Sequence, residues 1–197
     1  ATANNWSEGV PTTTHNVYIP KVSNQPTAAN AITIQKATLA SGASLVANST
    51  FAGILNYNIA ISDINWHLIS SPVVGEQYDD AWVTANAIAL GSENTNNRGI
   101  STYDNGTLDA ATGRWRYFQV GGTATTFGAG IGYSLLRTAS GNYSFTGTFP
   151  STVVSSAISQ DDNAWNLIGN PYPSYMDVAS FIVVNTSNLS DSFQSIY

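Results

Sequence analysis

Apolar and polar residues alternate along this chain in short runs, each bounded by Gly, Asn, Pro or Ser. Alternation with period two turns one face of a strand inward and the other outward. Many short runs of it, with little helical periodicity between them, point to an all-β sandwich or barrel. The runs fall at 16–20, 31–34, 43–47, 54–61, 66–71, 100–103, 115–118, 128–136, 143–149 and 165–170. Pro20, Pro72 and Pro171 stop three of them, because proline cannot donate to a ladder. The runs at 100–103 and 115–118 read as a hairpin, joined through the turn signals Asp104-Asn105-Gly106 and Thr112-Gly113. A helix is expected at 79–88, where Asp79 and Asp80 would suit the helix dipole, and a short helical turn at 176–181. Residues 91–99 read as a polar loop. The expected fold is an antiparallel β-sandwich, jelly-roll-like, with at most one or two short helices. It forms one unit over 1–197, with a sub-boundary near Ser62 between an N-terminal β layer and the sandwich at 63–197.

One pattern occurs twice. Trp66-His67-Leu68-Ile69-Ser70-Ser71-Pro72 and Trp165-Asn166-Leu167-Ile168-Gly169-Asn170-Pro171 share Trp-x-Leu-Ile-x-x-Pro, and each follows a turn containing aspartate. Two readings stand side by side: two similar core strands of one sandwich, or a duplicated half whose proline loops meet at one end and form a binding surface.

Composition narrows the function classes. Only 9% of residues are charged while 43% are hydrophobic, so Ser, Thr, Asn and Gly must supply the polar surface. The six cations are scattered and the net charge is -6, which argues against nucleic acid and anionic membranes as partners. No apolar run reaches the roughly 20 residues of a membrane span. The chain has no cysteine, which removes thiol catalysis and Cys-ligated metals.

The opening Asn5-Trp6-Ser7-Glu8-Gly9-Val10-Pro11-Thr12, the strand Val17-Tyr18-Ile19-Pro20, both cassettes, Gly130-Ile131-Gly132-Tyr133 and Phe145-Thr146-Gly147-Thr148 resemble segments of large surface proteins of the Bacteroidota. The resemblance covers nearly the whole chain. It implies export, by the type IX route, to the cell surface or medium, as part of a long adhesin-like or polysaccharide-active protein with neighbouring domains. It also implies that the pattern continues past Ile196-Tyr197, so that the chain reads as a trimmed or proteolysed piece. It carries no catalytic residues onto this segment.

Chemistry is sparse. The pairs Asp79-Asp80 and Asp161-Asp162 are adjacent in sequence, so on a strand their side chains would point to opposite faces. Nothing selects two acids for glycoside hydrolysis, and a hydrolase fragment remains only a third reading. His15 and His67 lack metal-ligand spacing, no G-x-S-x-G elbow is present, and the glycines at 128–132 lack a following lysine and helix. No cofactor is required. Asp104, Asn105 and Asp109 share one loop and could offer hard oxygen ligands to Ca²⁺, although Asx-stabilised turns explain the same residues.

The aromatics are the strongest lead. Five Trp and ten Tyr are many for so weakly charged a chain, and such rings stack on the C–H faces of sugars. Trp82, Trp115, Tyr117, Tyr172 and Tyr175 lie near loops and are the candidate glycan-binding residues. Trp66 and Trp165 begin apolar strands and are expected in the core. The expected function is a non-catalytic extracellular module for adhesion or polysaccharide binding. The alternative is a structural spacer that binds nothing.

Overall fold

The computed structural model describes residues 6–190; Asn5 and Ile196-Tyr197, at the two ends of the resemblance, lie outside the described residues. The strands are β1 (Asn16–Ile19), β2 (Thr27–Ala28), β3 (Ile32–Leu39), β4 (Val46–Ala47), β5 (Phe51–Ile61), β6 (His67–Ile69), β7 (Gln77–Tyr78), β8 (Asn97–Tyr103), β9 (Trp115–Gln119), β10 (Thr125–Thr126), β11 (Tyr133–Leu135) and β12 (Gly141–Thr148). Helices α1 (Asp80–Ala85) and α2 (Val178–Val184) are short. The fold is therefore mainly β. Among the described residues no helix is long and apolar enough to cross a membrane.

Residues 16–61 wind as a parallel coil. β1, β3 and β5 pair in parallel in one sheet, while β2 and β4 pair in parallel in another. Each turn takes about 19 residues, setting Thr27 beside Val46 and Ile32 beside Phe51. Equivalent positions stack inward: Ile19 on Leu39 on Tyr57, and Val17 on Ala37 on Leu55. Leu39, Ala37 and Leu55 are completely buried. Antiparallel pairing, expected from the sequence, does not hold here. Alternation fixes which face turns inward and is silent on the direction of the neighbouring strand.

The coil is joined to the rest through β5. Its second edge pairs antiparallel with β12 over eight residue pairs, from Ile54 opposite Thr148 to Ile61 opposite Gly141. This pairing connects the two sides of position 62. The sheet order is β1-β3-β5-β12, so β12 is an edge strand with backbone groups to satisfy. Those groups find partners one by one. The Arg137 guanidinium donates to the Asn142 carbonyl. Asn86 accepts from the Ser144 N–H (2.7 Å), and the Trp82 indole N–H donates to the Ser144 carbonyl (3.2 Å). Glu76 accepts from the Thr146 N–H, and Val74 bridges to Thr148. Burial pushes the Glu76 carboxyl above its usual range, against the pull of the Thr146 and Gln77 N–H groups.

A second sheet, β6-β11-β8-β9, is antiparallel throughout. Ile100, Tyr133 and Leu135 face the core. They meet an aromatic cluster centred on Phe127, whose ring lies 4.8–5.3 Å from Tyr78, Trp82, Tyr133 and Phe145. α1 is shorter than the span expected at 79–88. Asp79 caps it by accepting from the Trp82 N–H (2.7 Å), and it ends before Ala87, which takes a positive φ of 49°.

Tyr143 is completely buried, and its hydroxyl has no hydrogen-bond partner among the described residues. Burial pushes that hydroxyl up to about 12, although the nearby Arg137 opposes the shift. Tyr143→Phe keeps the ring and removes the orphaned group, so it should gain about 1 kcal/mol in urea unfolding at neutral pH. The unfolded tyrosine loses its proton near pH 10 while the folded one keeps it until about 12. Stability is therefore whole below pH 10 and falls as the pH rises above it, and the variant should fall less. A variant less stable than wild type at neutral pH would contradict this account.

Candidate functional site

The outer face of the second sheet carries the site. Pairing aligns Leu68, Ser134, Ser101 and Tyr117 in one row across four strands. The two central serines are small and buried, at 5% and 2% exposure, and form a floor. The large side chains come from the two edges and close over it. Trp66 approaches from beside β6 and Tyr117 from β9, until their ring centroids lie 6.1 Å apart at 62°. Two residues before Tyr117, and so on the same face, Trp115 packs against its cross-strand partner Tyr103 at 5.3 Å and 72°. Asn163 donates to the Tyr103 hydroxyl (2.8 Å). Tyr103 and Trp165 in turn line an open cavity of about 200 Å³. Trp66, Tyr117, Trp115, Tyr103 and Trp165 thus form a band of aromatic residues along one face.

A polar margin lies beside the band. A second shallow cavity, about 320 Å³, is lined by Trp115 and Tyr117 together with Asn94, Asn97, Asp109, Thr112, Arg116 and Gln119. The Gln119 amide donates to the Asn97 side-chain oxygen (2.5 Å), which holds the two amides together. Asp109 is fixed in a turn. One of its oxygens accepts from the Thr112 N–H, the Ala111 N–H and the Thr112 hydroxyl, and these hold its carboxyl below the usual range.

The two Trp-x-Leu-Ile-x-x-Pro cassettes meet. β6, from the first, pairs with Tyr133–Leu135, while Ile168 of the second bridges to Ile131 just before it. Ser70 then donates to the carbonyl of Asn170 (2.8 Å), so the proline ends of both cassettes lie together. Their tryptophans point to solvent, 47% exposed at Trp66 and 57% at Trp165. This corrects the expectation that they sit in the core. Leu68 and Ile69 of β6 are apolar on opposite faces, and Trp66 shares the outer one with Leu68, itself 59% exposed.

The five candidate aromatic residues separate accordingly. Trp115 and Tyr117 belong to the band. Trp82 does not: it is 7% exposed, inside the Phe127 cluster, and no ring face is open for stacking. Asp79 caps its helix, as the sequence suggests, and the helix turns Trp82 inward. Tyr172 and Tyr175 lie away from the band in the turn after the second cassette. The Tyr172 hydroxyl accepts from the Val154 N–H and donates to the Thr152 carbonyl, and the Tyr175 hydroxyl donates to Gly42 of the coil (2.7 Å). Tyr103, Trp66 and Trp165 are the band residues that strand-start reasoning missed. For Tyr103 a signal was available, because the expected hairpin sets it opposite Trp115.

The candidate calcium residues each have hydrogen-bond partners of their own. Asp104 accepts from the Gly106 and Thr107 N–H groups through one oxygen, and its other oxygen lies 3.2 Å from Arg116. These partners hold its carboxyl below the usual range. The Asn105 side chain exchanges hydrogen bonds with Ser159 (2.9 and 3.0 Å). Among the described residues no three His, Asp or Glu side chains gather as a metal site. No family model, curated protein or solved structure matches the chain.

Proposed function

We propose that this protein is a non-catalytic extracellular module of a large bacterial surface protein, a jelly-roll-like sandwich joined to a short parallel coil, and that it binds glycans for adhesion or polysaccharide capture. The observation that carries this reading is the aromatic band. Monomeric proteins seldom leave contiguous large aromatic side chains on a sheet face unless that face is used. Rings with few rotors bury sugar C–H surface at low entropic cost, and the neighbouring amides suit sugar hydroxyls.

The test is a glycan array read with calcium and with chelator. Wild-type protein should bind a subset of glycans, and Trp66→Ala and Trp115→Ala should each weaken that signal about tenfold. Trp66→Ala should leave the melting temperature unchanged. An array blank under both conditions would remove this reading. It would leave a structural spacer, which the parallel coil favours, because stacked coils extend in one direction by repetition.

A further inference from the structure

We infer that the ligand of the aromatic band is a neutral glycan taken up as a single chain, an assignment that rests on the band being the binding face. Three observations lead to it.

The first is the disposition of the cations. The chain has six: Lys21, Lys36, Arg98, Arg114, Arg116 and Arg137. Arg98 pairs with Asp80 (3.0 Å), Arg114 with Asp162, and Arg116 with Asp104 (3.2 Å). Arg137 is buried and donates to the carbonyls of Ala139 and Asn142. The two lysines belong to the N-terminal coil, Lys36 on β3 of the other sheet, and neither lines a cavity beside the band. No cation is left to receive a sulfate or carboxylate there. Two charges line the margin: Arg116, whose guanidinium is already committed to Asp104 and to the Thr107 carbonyl, and Asp109, which repels polyanions.

The second is the tilt of the rings. A packed polysaccharide surface needs coplanar rings beneath it. Here the pairs stand at 62° and 72°, edge against face. Such pairs make ridges about 7 Å apart along β9. A flexible chain, whose successive sugars can turn, fits them better than a rigid plane does. The third is the margin itself. Asn94, Asn97 and Gln119 offer amide donors and acceptors, the groups that read hydroxyls rather than charges.

Affinity gel electrophoresis tests the assignment, with hydroxyethyl cellulose, galactomannan and amylopectin as neutral soluble probes and alginate and heparin as polyanions. Sedimentation with microcrystalline cellulose and chitin supplies the packed surfaces. At least one neutral soluble probe should retard the protein, with less than about a twofold change between 50 and 500 mM salt. Trp66→Ala and Tyr117→Ala should each weaken it about tenfold. Asn97→Ala supplies a variant without loss of a ring and should weaken it several-fold. Retardation by alginate or heparin alone, or binding confined to the packed surfaces, overturns the neutral single-chain assignment and leaves glycan binding intact. Absence of binding to every probe overturns both.

Discussion

Trp82→Ala is expected to remove about 3–5 kcal/mol of unfolding free energy, a large share of what a domain of this kind has. Three links break together. The indole packs into the aromatic cluster, with Phe127 at 4.9 Å and Phe145 at 5.6 Å, so truncation leaves a cavity. Its N–H satisfies the Ser144 carbonyl on the outer edge of β12, and that group would be left unpaired. α1, only six residues long, has no independent stability and is held largely by Trp82 and Val83. Urea unfolding checks the magnitude. Trp82→Phe keeps most of the packing and should lose clearly less, with the N–H bond accounting for about 1 kcal/mol. Trp66→Ala, on the exposed band, should change stability by less than about 0.5 kcal/mol. Equal losses at 66 and 82 would contradict the assignment of one tryptophan to the surface and the other to the core.

Gly169→Ala is the second large effect. A Cβ there would lie 2.2 Å from the Cβ of Ser70 and 3.2 Å from the Ile131 carbonyl. Gly169 and Ser70 are the same position of the two cassettes, and they touch each other. A methyl group at 169 must push the two proline turns apart, at a cost of about 1–3 kcal/mol or more. Ser70→Gly removes the obstacle and the hydrogen bond to Asn170, so alone it should destabilise by about 1 kcal/mol. In combination it should rescue: the double variant is expected to be more stable than Gly169→Ala alone. A double-mutant cycle measures this coupling, and additive losses would mean that the cassettes do not meet as described.

Much of the element order was legible in the chain, because alternation and turn residues act locally. β1, β5, the β8–β9 hairpin and β12 fall where the alternation puts them, and the Asp79 cap marks the start of α1. The coil was not legible from alternation. Its signal is a repeat of about 19 residues that returns Ile32 to Phe51 and Thr27 to Val46, and it shows in spacing rather than in any one motif. The site was half legible. Trp115 and Tyr117 were identifiable from their place beside a hairpin turn. Trp66 and Trp82 exchange places because the burial of each depends on which face of its element meets the core. For Trp66 that face is set by β11, residues distant in sequence, and for Trp82 by Phe127 and Ser144. The repeated cassette was plain, but its one informative difference, Ser70 against Gly169, acquires meaning only once the two copies are in contact.

β5 gives the molecule an order of assembly. Its contacts with β3 are local, so the coil can wind as soon as residue 61 has left the ribosome. Its other edge waits for β12, some ninety residues later in the chain. Throughout that interval eight residues of open strand edge face outward, able to recruit any extended segment nearby. Synthesis runs from the N-terminus, so this interval is the chain's period of greatest exposure to misassembly. The arrival of the segment 141–148, carrying Tyr143 and Phe145 into the core, ends it.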